Sequence, residues 1–316
     1  MMSRSLSLED RLEALEALRS DPVSEESRAA LQKALSYKTS HVVARAAEIA
    51  CEFHISELEG DLVAAFDRFM TNPQKTDPGC AAKTAIAEAL YRMEAYQPDL
   101  FLEGIGHVQL EPVWGGRQDT AAKLRGTCAL ALVRLNYSNV LILLAQLLAD
   151  PEPDARIAAA RAIGYAGQDA GVPLLRYKAL VGDPHPQVLC DCFMAMLQLD
   201  PEPSLSFVAG FLQRDDLALQ EAAAVALGES RLVQAFPFLE TAWEDAEEPD
   251  LRRALLLGIA LLRHERGLTF LLSLIEGGGV AGSEALAALG MYRDDARIWD
   301  RVEAASQDIR LPRALR

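Results

Sequence analysis

Apolar residues recur along most of the chain at the three- and four-residue intervals of an α-helix. The segment 7–19, for example, places four leucines on one stripe of a helix. Apolar segments such as VLILLAQLL (140–148) alternate with turn segments rich in Pro, Gly and Asp, such as DPEPD (150–154). Because Pro and Gly end helices and Asp caps the next one, this pattern predicts pairs of helices joined by short turns.

Each predicted pair repeats one packing pattern, which is clearest in DARIAAARAIG (154–164). Aligning this pattern along the chain gives eight anchor positions, spaced by 38, 42, 31, 33, 31, 32 and 30 residues: Arg45, Lys83, Arg125, Arg156, Leu189, Gln220, Arg252 and Gly282. The residue six positions after each anchor is small: Cys51, Ala89, Ala131, Ala162, Ala195, Ala226, Gly258 and Ala288. The following residue is Glu52 in the first pair and apolar in the others. A small side chain lets a neighbouring backbone approach closely, so the pattern predicts pairs that stack on one another.

The predicted fold is all-α: an α/α superhelix of about eight helix pairs that forms a single solenoid over residues 1–316. The pairs occupy residues 25–291. Helices at 7–19 and 295–305 are expected to cap the first and last pairs, because the exposed end of a repeat array would aggregate. An aromatic content of only 6% agrees with a helical protein.

The repeat resembles the HEAT-like family, particularly the short type first noted in phycobilisome bilin lyases. The resemblance rests on Asp-x-Arg-x-Ala-Ala-x-x-Ala-Ile-Gly at 154–164 and on QEAAAVALG at 220–228. Pro173 and Pro237, early in predicted first helices, also match the family pattern. The resemblance covers about residues 25 to 291. It implies the solenoid fold and says little about function, because this scaffold serves many unrelated tasks.

A formal net charge of −15 disfavours partners that carry negative charge. Proteins that bind nucleic acid or anionic membranes neutralise phosphates with a basic face, so neither is expected as a partner. The five cysteines lie in helical segments, which predicts reduced core thiols and no disulfide framework. The sequence shows no secretory signal and no apolar run long enough to cross a bilayer. We therefore expect a cytoplasmic protein.

Residue types that carry catalysis or bind metal are scattered along the chain. The five histidines fall in different predicted pairs or turns. Deoxyhypusine hydroxylase, an enzyme built on similar repeats, holds a di-iron centre with several His-Glu dipeptides, whereas this chain has one, His264-Glu265. We therefore expect no metal site, no cofactor and no catalytic residue. The sequence leans towards a protein that is not an enzyme and leaves that question open.

Five of the eight anchors are basic, and we interpret them as a structural ladder. In this interpretation each basic side chain bonds the turn carboxylates or carbonyls of an adjacent helix pair. Asp154 and Asp250 are suitable partners for Arg156 and Arg252.

Two segments lengthen the repeat. TNPQKTDPG (71–79) is predicted to be a longer polar turn without a site. The segment at about 103–120, with GHVQLEPVWGGRQDT at its centre, is predicted to be an inserted loop. Its candidate partner- or ligand-binding residues, with the neighbouring anchor, are His107, Glu111, Trp114, Arg117, Asp119 and Arg125.

Two interpretations of the 103–120 loop stay open. A large aromatic residue beside an Arg is typical of interface hot spots, which favours a binding element. Alternatively, the loop folds back over the groove and buries Trp114 as a plug. A loop packed in the groove could also narrow it into a pocket.

The sequence favours a non-catalytic adapter or scaffold that holds a protein or peptide on its concave second-helix surface and the 103–120 loop. The alternative is a bilin-lyase-like or other small-ligand function, which the family resemblance implies without any specific residue set. A third possibility resembles the HEAT-like alkylpurine DNA glycosylases, but these grip DNA through a basic face, and the charge of −15 argues against it.

Overall fold

Helix pairs follow one another through residues 7–306, the part of the chain that the computed structural model describes. The chain divides into two compact units, Met1–Ala166 and Gly167–Arg316. The described helices of the first unit are α1 (Leu8–Ala17), α2 (Glu25–Leu35), α3 (Ser40–Glu52), α4 (Glu59–Met70), α5 (Pro73–Thr76), α6 (Ala81–Arg92), α7 (Pro98–Ile105), α8 (Ala122–Arg134), α9 (Val140–Leu147) and α10 (Pro153–Ala166). Those of the second unit are α11 (Val172–Val181), α12 (Pro186–Leu199), α13 (Pro201–Ala209), α14 (Leu217–Glu229), α15 (Phe236–Asp245), α16 (Pro249–Leu261), α17 (Glu265–Gly277), α18 (Gly279–Leu289) and α19 (Ala296–Ala305).

The predicted all-α fold of stacked helix pairs is confirmed. Four contacting pairs lie in the first unit, namely α2/α3, α4/α6, α7/α8 and α9/α10. Four lie in the second unit, namely α11/α12, α13/α14, α15/α16 and α17/α18. The helices α1 and α19 stand at the predicted capping positions. The assignment of all pairs to one solenoid domain stays a prediction.

Local sequence signals start these helices. Ser7 and Asp10 form a capping box at the start of α1, and the Asp216 side chain accepts from the backbone N–H of Leu219 at the start of α14. Proline stands in the first turn of α11 and α15, where its missing N–H would have no partner within the helix.

Second helices of the same unit pack against one another within the core. In the first unit α3 contacts α6, α6 contacts α8 and α8 contacts α10, and in the second α12 contacts α14, α14 contacts α16 and α16 contacts α18. All eight small residues that follow the anchors, from Cys51 to Ala288, are buried. A Cβ at Gly258 would lie 2.6 Å from the carbonyl oxygen of Ala224, so glycine is what lets α14 and α16 approach so closely here.

Most second helices end at a residue in the left-handed conformation. These residues share a positive φ between 51° and 63°, and they are His54, Glu94, Asn136, Gly167, Arg231 and Arg263. Five of the six stand eleven residues after their anchor. A left-handed residue at this place ends the helix by turning the backbone away from the axis. The repeat therefore fixes its helix ends as well as its packing.

All five cysteines are buried and free, as predicted for core thiols. Burial raises the pKa of Cys80 to about 11 and that of Cys192 to about 12. These two thiols are therefore protonated at neutral pH and are poor nucleophiles.

Candidate functional site

The inserted segment, which the sequence predicts as a loop, contains a β-hairpin. The strand β1 (Leu110–Val113) pairs antiparallel with β2 (Gly116–Asp119), and Trp114 and Gly115 form the turn. Gly115 has a φ of 89°, which glycine adopts without strain. Among the described residues this is the one sheet, so the fold remains helical apart from the hairpin.

Gln109, which precedes β1, ties the base of the hairpin to the turn 71–79. Its buried Nε2 donates to the carbonyl oxygen of Asp77 at 2.8 Å and to Glu111 Oε1 at 2.6 Å. Glu111 Oε1 also accepts from the backbone N–H of Gly79 at 2.7 Å. The turn 71–79, predicted to have no role in a site, therefore holds one side of the hairpin.

Asp119 and Arg125 close the other side of the hairpin base. Asp119 Oδ1 accepts from the backbone N–H groups of Gln109 and Ala121 at 3.0 and 2.9 Å. Arg125 donates to Asp119 Oδ2 at 2.7 Å and to Asp150 Oδ1 at 2.8 Å. The side chains of Asp119 and Arg125 are only 7% and 2% exposed. Arg125 thus links the hairpin to the turn that precedes α10.

Burial and hydrogen bonding set the protonation of the hairpin base. Burial acts to raise the pKa of Asp119, but two backbone N–H donors and Arg125 outweigh it and hold that pKa below its ordinary value. Burial opposes its donors in the same way at Glu111, whose pKa is also lowered. His107 is half-buried, and burial lowers its pKa. At neutral pH the base therefore combines two carboxylates, one guanidinium and an uncharged imidazole.

An aspartate six residues before the anchor recurs in four pairs and was missed by the repeat pattern. In each case its Oδ1 accepts from a backbone N–H near the start of the second helix, at 2.8 to 2.9 Å. The four residues are Asp77, Asp119, Asp150 and Asp183. In the second pair the anchor Lys83 also donates from Nζ to Asp77 Oδ2 at 2.9 Å, with both side chains fully buried. A carboxylate at this spacing is the sequence signal that could have identified these residues.

Four of the five basic anchors bond turns, and Arg125 also reaches Asp150 in the turn of the adjacent pair, in line with the ladder interpretation. Arg45 differs, because it pairs with Glu16 and Glu48, which lie on helices.

Arg156 donates to two carbonyl oxygens of the turn 150–154, at 2.8 Å each. Arg252 donates to two carbonyl oxygens before α16, at 3.2 and 3.1 Å. The prediction that Asp250 would bond Arg252 is wrong, because Asp250 pairs with Arg253 one position further along the helix.

The tip of the hairpin is exposed. Trp114 is fully exposed, so the interpretation that the segment folds back and buries it is wrong. Val108, Leu110 and Val113 are exposed as well. The six candidate residues therefore fall into two sets. His107, Glu111, Asp119 and Arg125 lie at the base, whereas Trp114 and Arg117 lie on the exposed part.

A groove of about 730 Å³ lies beside the hairpin base in the first unit, lined by residues of α3, α6 and α8 and by Thr120. Both positively and negatively charged side chains line the groove. Arg19 and Arg45 are paired with glutamates. Arg92 and Lys123 have no ion-pair partner in the described part of the chain. Second helices thus line the groove, and two of its cations are free to meet an added carboxylate.

Within residues 7–306, no three side chains of His, Cys, Asp or Glu are grouped as they would be to hold a metal ion. None of the helices in that range combines the length and the apolar character needed to cross a bilayer.

Residues 176–260 match the model of HEAT repeats, so this stretch of the chain, from α11 to α16, carries HEAT repeats as predicted. Among solved structures, the complex of CpcE and CpcF of phycocyanin lyase from Nostoc sp. PCC7120 is similar at 17% identity, 71% of this chain, 89% of that chain and a TM-score of 0.39. Human deoxyhypusine hydroxylase in complex with glycerol is similar at 17% identity, 83% of this chain, 93% of that chain and a TM-score of 0.33. No curated protein matches the chain.

Proposed function

We propose that this HEAT-repeat chain is a non-catalytic cytoplasmic adapter that binds a protein or peptide partner through the hairpin 110–119 and the groove beside it. The observation that carries the proposal is Trp114, fully exposed at the tip of a hairpin whose base is buried and held by hydrogen bonds. Large exposed aromatic side chains are costly in water, and in binding surfaces they supply much of the affinity.

The anchored base supports a binding role because it fixes the tip before a partner arrives. Ordering a flexible loop at an interface reduces affinity, and a preformed hairpin avoids that cost. Gln109, Asp119 and Arg125 together join the hairpin to two different turns. A hairpin that served only to cover its own groove would bury its tryptophan.

The exposed part of the hairpin combines apolar and cationic groups. Trp114 stands next to the exposed Val113, and Leu110 is exposed on the same hairpin. Arg117 is exposed and has no ion-pair partner among the described residues. A partner surface that offers an apolar pocket with a nearby carboxylate would satisfy both groups.

One edge of the hairpin is open for pairing with an extended segment. The Thr120 N–H donates to the Gln109 carbonyl at 3.0 Å, and in the alternating antiparallel pattern this directs the backbone groups of Pro112 and Arg117 outward. Pro112 has no N–H to offer on the β1 edge. On the β2 edge, Arg117 offers both its N–H and its carbonyl. The geometry therefore favours addition of a partner strand along β2.

The groove adds a second surface for the same partner. Arg92 and Lys123 face it without carboxylates of their own, so an acidic stretch of the bound segment would find two charge partners.

The first test compares proteins captured from the native cells by the wild type, by Trp114→Ala and by Tyr96→Ala. Tyr96 is exposed and lies in the connection before α7, outside the hairpin, so its variant is the control for loss of any exposed aromatic residue. We expect quantitative mass spectrometry to show the partner reduced by about tenfold or more for Trp114→Ala and unchanged for Tyr96→Ala. Equal capture by all three proteins, or no reproducible partner, would contradict the proposal.

The second test separates strand addition from side-chain recognition. Arg117→Ala removes the guanidinium, and Arg117→Pro removes the guanidinium and the outward N–H while leaving the β1–β2 ladder bonds in place. Strand addition predicts that Arg117→Pro binds the captured partner more weakly than Arg117→Ala. Equal affinities would assign the role of Arg117 to its side chain alone.

A small-ligand function is the second candidate, because a groove of 730 Å³ lies within the range of roughly 300–1,000 Å³ typical of small-molecule sites. An absorption spectrum and an intact mass of the protein purified from native cells test it. A chromophore or an added mass that survives purification would favour this candidate over the adapter.

A further inference from the structure

The second unit contains a separate cavity of about 260 Å³ where the end of α16, the start of α17 and α19 meet. Its apolar lining comes from Leu268, Leu271, Leu289 and Ile298. Tyr292 forms part of the wall and donates from its hydroxyl to the Ala260 carbonyl at 2.6 Å. The cavity lies in the opposite half of the sequence from the hairpin, and nothing in the adapter function uses it.

Three arginines line this cavity, and two of them have no carboxylate paired with them within residues 7–306. Arg301 is bidentate to Glu265, at 2.6 and 3.1 Å, so its charge is compensated. Arg263 and Arg297 have no ion-pair partner within residues 7–306. Asp295, the nearby carboxylate, is committed to capping α19 through the backbone N–H groups of Arg297 and Ile298. In a chain of net charge −15, the cavity therefore carries local uncompensated positive charge.

His264 forms part of the cavity wall as a neutral ring. Its Nδ1 accepts from the backbone N–H of Gly267 at 3.1 Å, so the neutral ring carries its proton on Nε2. Burial lowers the pKa of His264, which favours this neutral form. The Nε2 atom is buried and has no hydrogen-bond partner within residues 7–306, and His264 lines the cavity. The His264 ring lies edge-on to Phe236 at 5.8 Å between centroids, so it forms part of the cavity wall and its buried Nε2 is not accessible from the cavity.

We propose that this cavity binds a small organic carboxylate with an apolar body. The apolar lining receives the body, and the guanidinium groups of Arg263 and Arg297 supply donors for the head group. A guanidinium matches a carboxylate in charge and geometry. The volume is slightly below the roughly 300 Å³ at which drug-sized ligands begin to fit, so a single ring or a short chain is the expected size.

The carboxylate has two possible sources, a free acid and the C-terminus of a peptide that ends in an apolar residue. Isothermal titration of the full chain with 3-phenylpropionate and with N-acetylphenylalanine distinguishes them. Tighter binding of 3-phenylpropionate identifies a free acid as the ligand, and tighter binding of N-acetylphenylalanine identifies a peptide end. The neutral counterparts 3-phenylpropanol and N-acetylphenylalanine amide should bind at least about tenfold more weakly, because they lack the charge that the arginines recognise.

Matched variants locate the binding. Arg263→Gln and Arg297→Gln should each weaken the carboxylate by about tenfold, which is the usual loss for one hydrogen bond to a charged group. Arg293→Gln is the control, because Arg293 is an exposed neighbour that does not line the cavity. Thermal melting of each variant verifies that it is folded, and these exposed substitutions leave the packed core intact.

Three results would overturn the proposal. The first is no saturable binding of either carboxylate. The second is equal binding of the acids and their neutral counterparts. The third is equal binding of inorganic phosphate and 3-phenylpropionate, since phosphate cannot use the apolar lining. None of these results bears on the hairpin, whose tests use other residues.

Discussion

The third and seventh helix pairs use the same anchor position to hold different connections. In the third pair Arg125 secures a β-hairpin through the His107 carbonyl, Asp119 and Asp150. In the seventh pair Arg252 secures a plain turn through two carbonyl oxygens, and its guanidinium also lies 4.4 Å from the centre of the Trp243 ring. The Arg125 side chain is 2% exposed and that of Arg252 is 26% exposed.

This difference shows how the repeat accepts an insertion. In both of these pairs the anchor bonds the connection that leads into the second helix, whatever its length. Where the connection is long, carboxylates and a buried glutamine close its base, so the helices of the pair keep their packing. The inserted tip is then free to differ without changing the core.

The largest expected effect comes from removing each anchor. Arg125→Ala leaves Asp119 and Asp150 buried without their charge partner, and we expect a loss of about 3–5 kcal/mol. Arg252→Ala loses two bonds to carbonyls, one ring contact and an ion pair of 4.0 Å with Glu284 at a partly exposed site, and we expect about 1–2 kcal/mol. Urea denaturation followed by hydrogen exchange of α8 and α16 peptides measures both losses. Equal losses would mean that Arg125 and Arg252 contribute equally to the free energy of unfolding, which would contradict the comparison.

For the tryptophans, the larger loss of stability is expected in the seventh pair and not in the third. Trp243 packs edge-on against Phe270 and under Arg252, so Trp243→Ala should cost about 2–3 kcal/mol. Trp114 is fully exposed, so Trp114→Ala should change the free energy of unfolding by less than about 0.5 kcal/mol. Thermal melting compares the two variants. A large loss for Trp114→Ala would show that the hairpin tip has a structural role.

The small position that follows the anchor tests the shared packing. It is Ala131 in the third pair and Gly258 in the seventh. Gly258→Ala places a Cβ 2.6 Å from the Ala224 carbonyl oxygen and should cost about 1–3 kcal/mol. Ala131→Gly should cost about 1 kcal/mol, because glycine is a poor helix former. Chemical denaturation measures both, and a stabilised Gly258→Ala protein would contradict the close approach of α14 and α16.

Acid should destabilise the connection of the third pair more than that of the seventh. This is the smallest of the four effects expected here. The folded-state pKa of Asp119 is lowered from 3.8, so its contribution is complete above about pH 3.8 and is lost as pH falls through the lower folded value. The Arg252 turn depends on carbonyl oxygens, which do not titrate. Hydrogen exchange should show earlier acid opening at 107–125 than before α16. Asp119→Asn should reduce that pH dependence and leave the part that comes from Glu111, whose pKa is also lowered. An unchanged profile in this variant would assign the dependence to another group.

The sequence predicted the helix pairs because their signals are local and repeated. The small residue after each anchor and the Pro, Gly and Asp turns recur at nearly constant spacing, so eight weak signals agree with one another. The left-handed helix ends were not predicted, because residues as different as Glu94 and Arg231 occupy them.

The hairpin was missed because neither strand looks like one. LEPV and GRQD are four residues long, carry a single β-branched residue and lack a clear alternation. Their stability comes from Gln109, Asp77 and Asp150, whose burial depends on segments distant in the sequence. Composition alone did not reveal which of the six candidate residues are exposed, as Trp114 is, and which are buried, as Asp119 is.

The regular left-handed helix ends give the chain modular boundaries. In several pairs the distance from anchor to helix end is constant, so a segment cut between two such ends carries one complete second helix together with its stop signal. Duplication or excision of that segment would join equivalent backbone conformations and leave the flanking junctions intact. Lengthening or shortening the array by whole repeats is therefore a route to new variants of this protein.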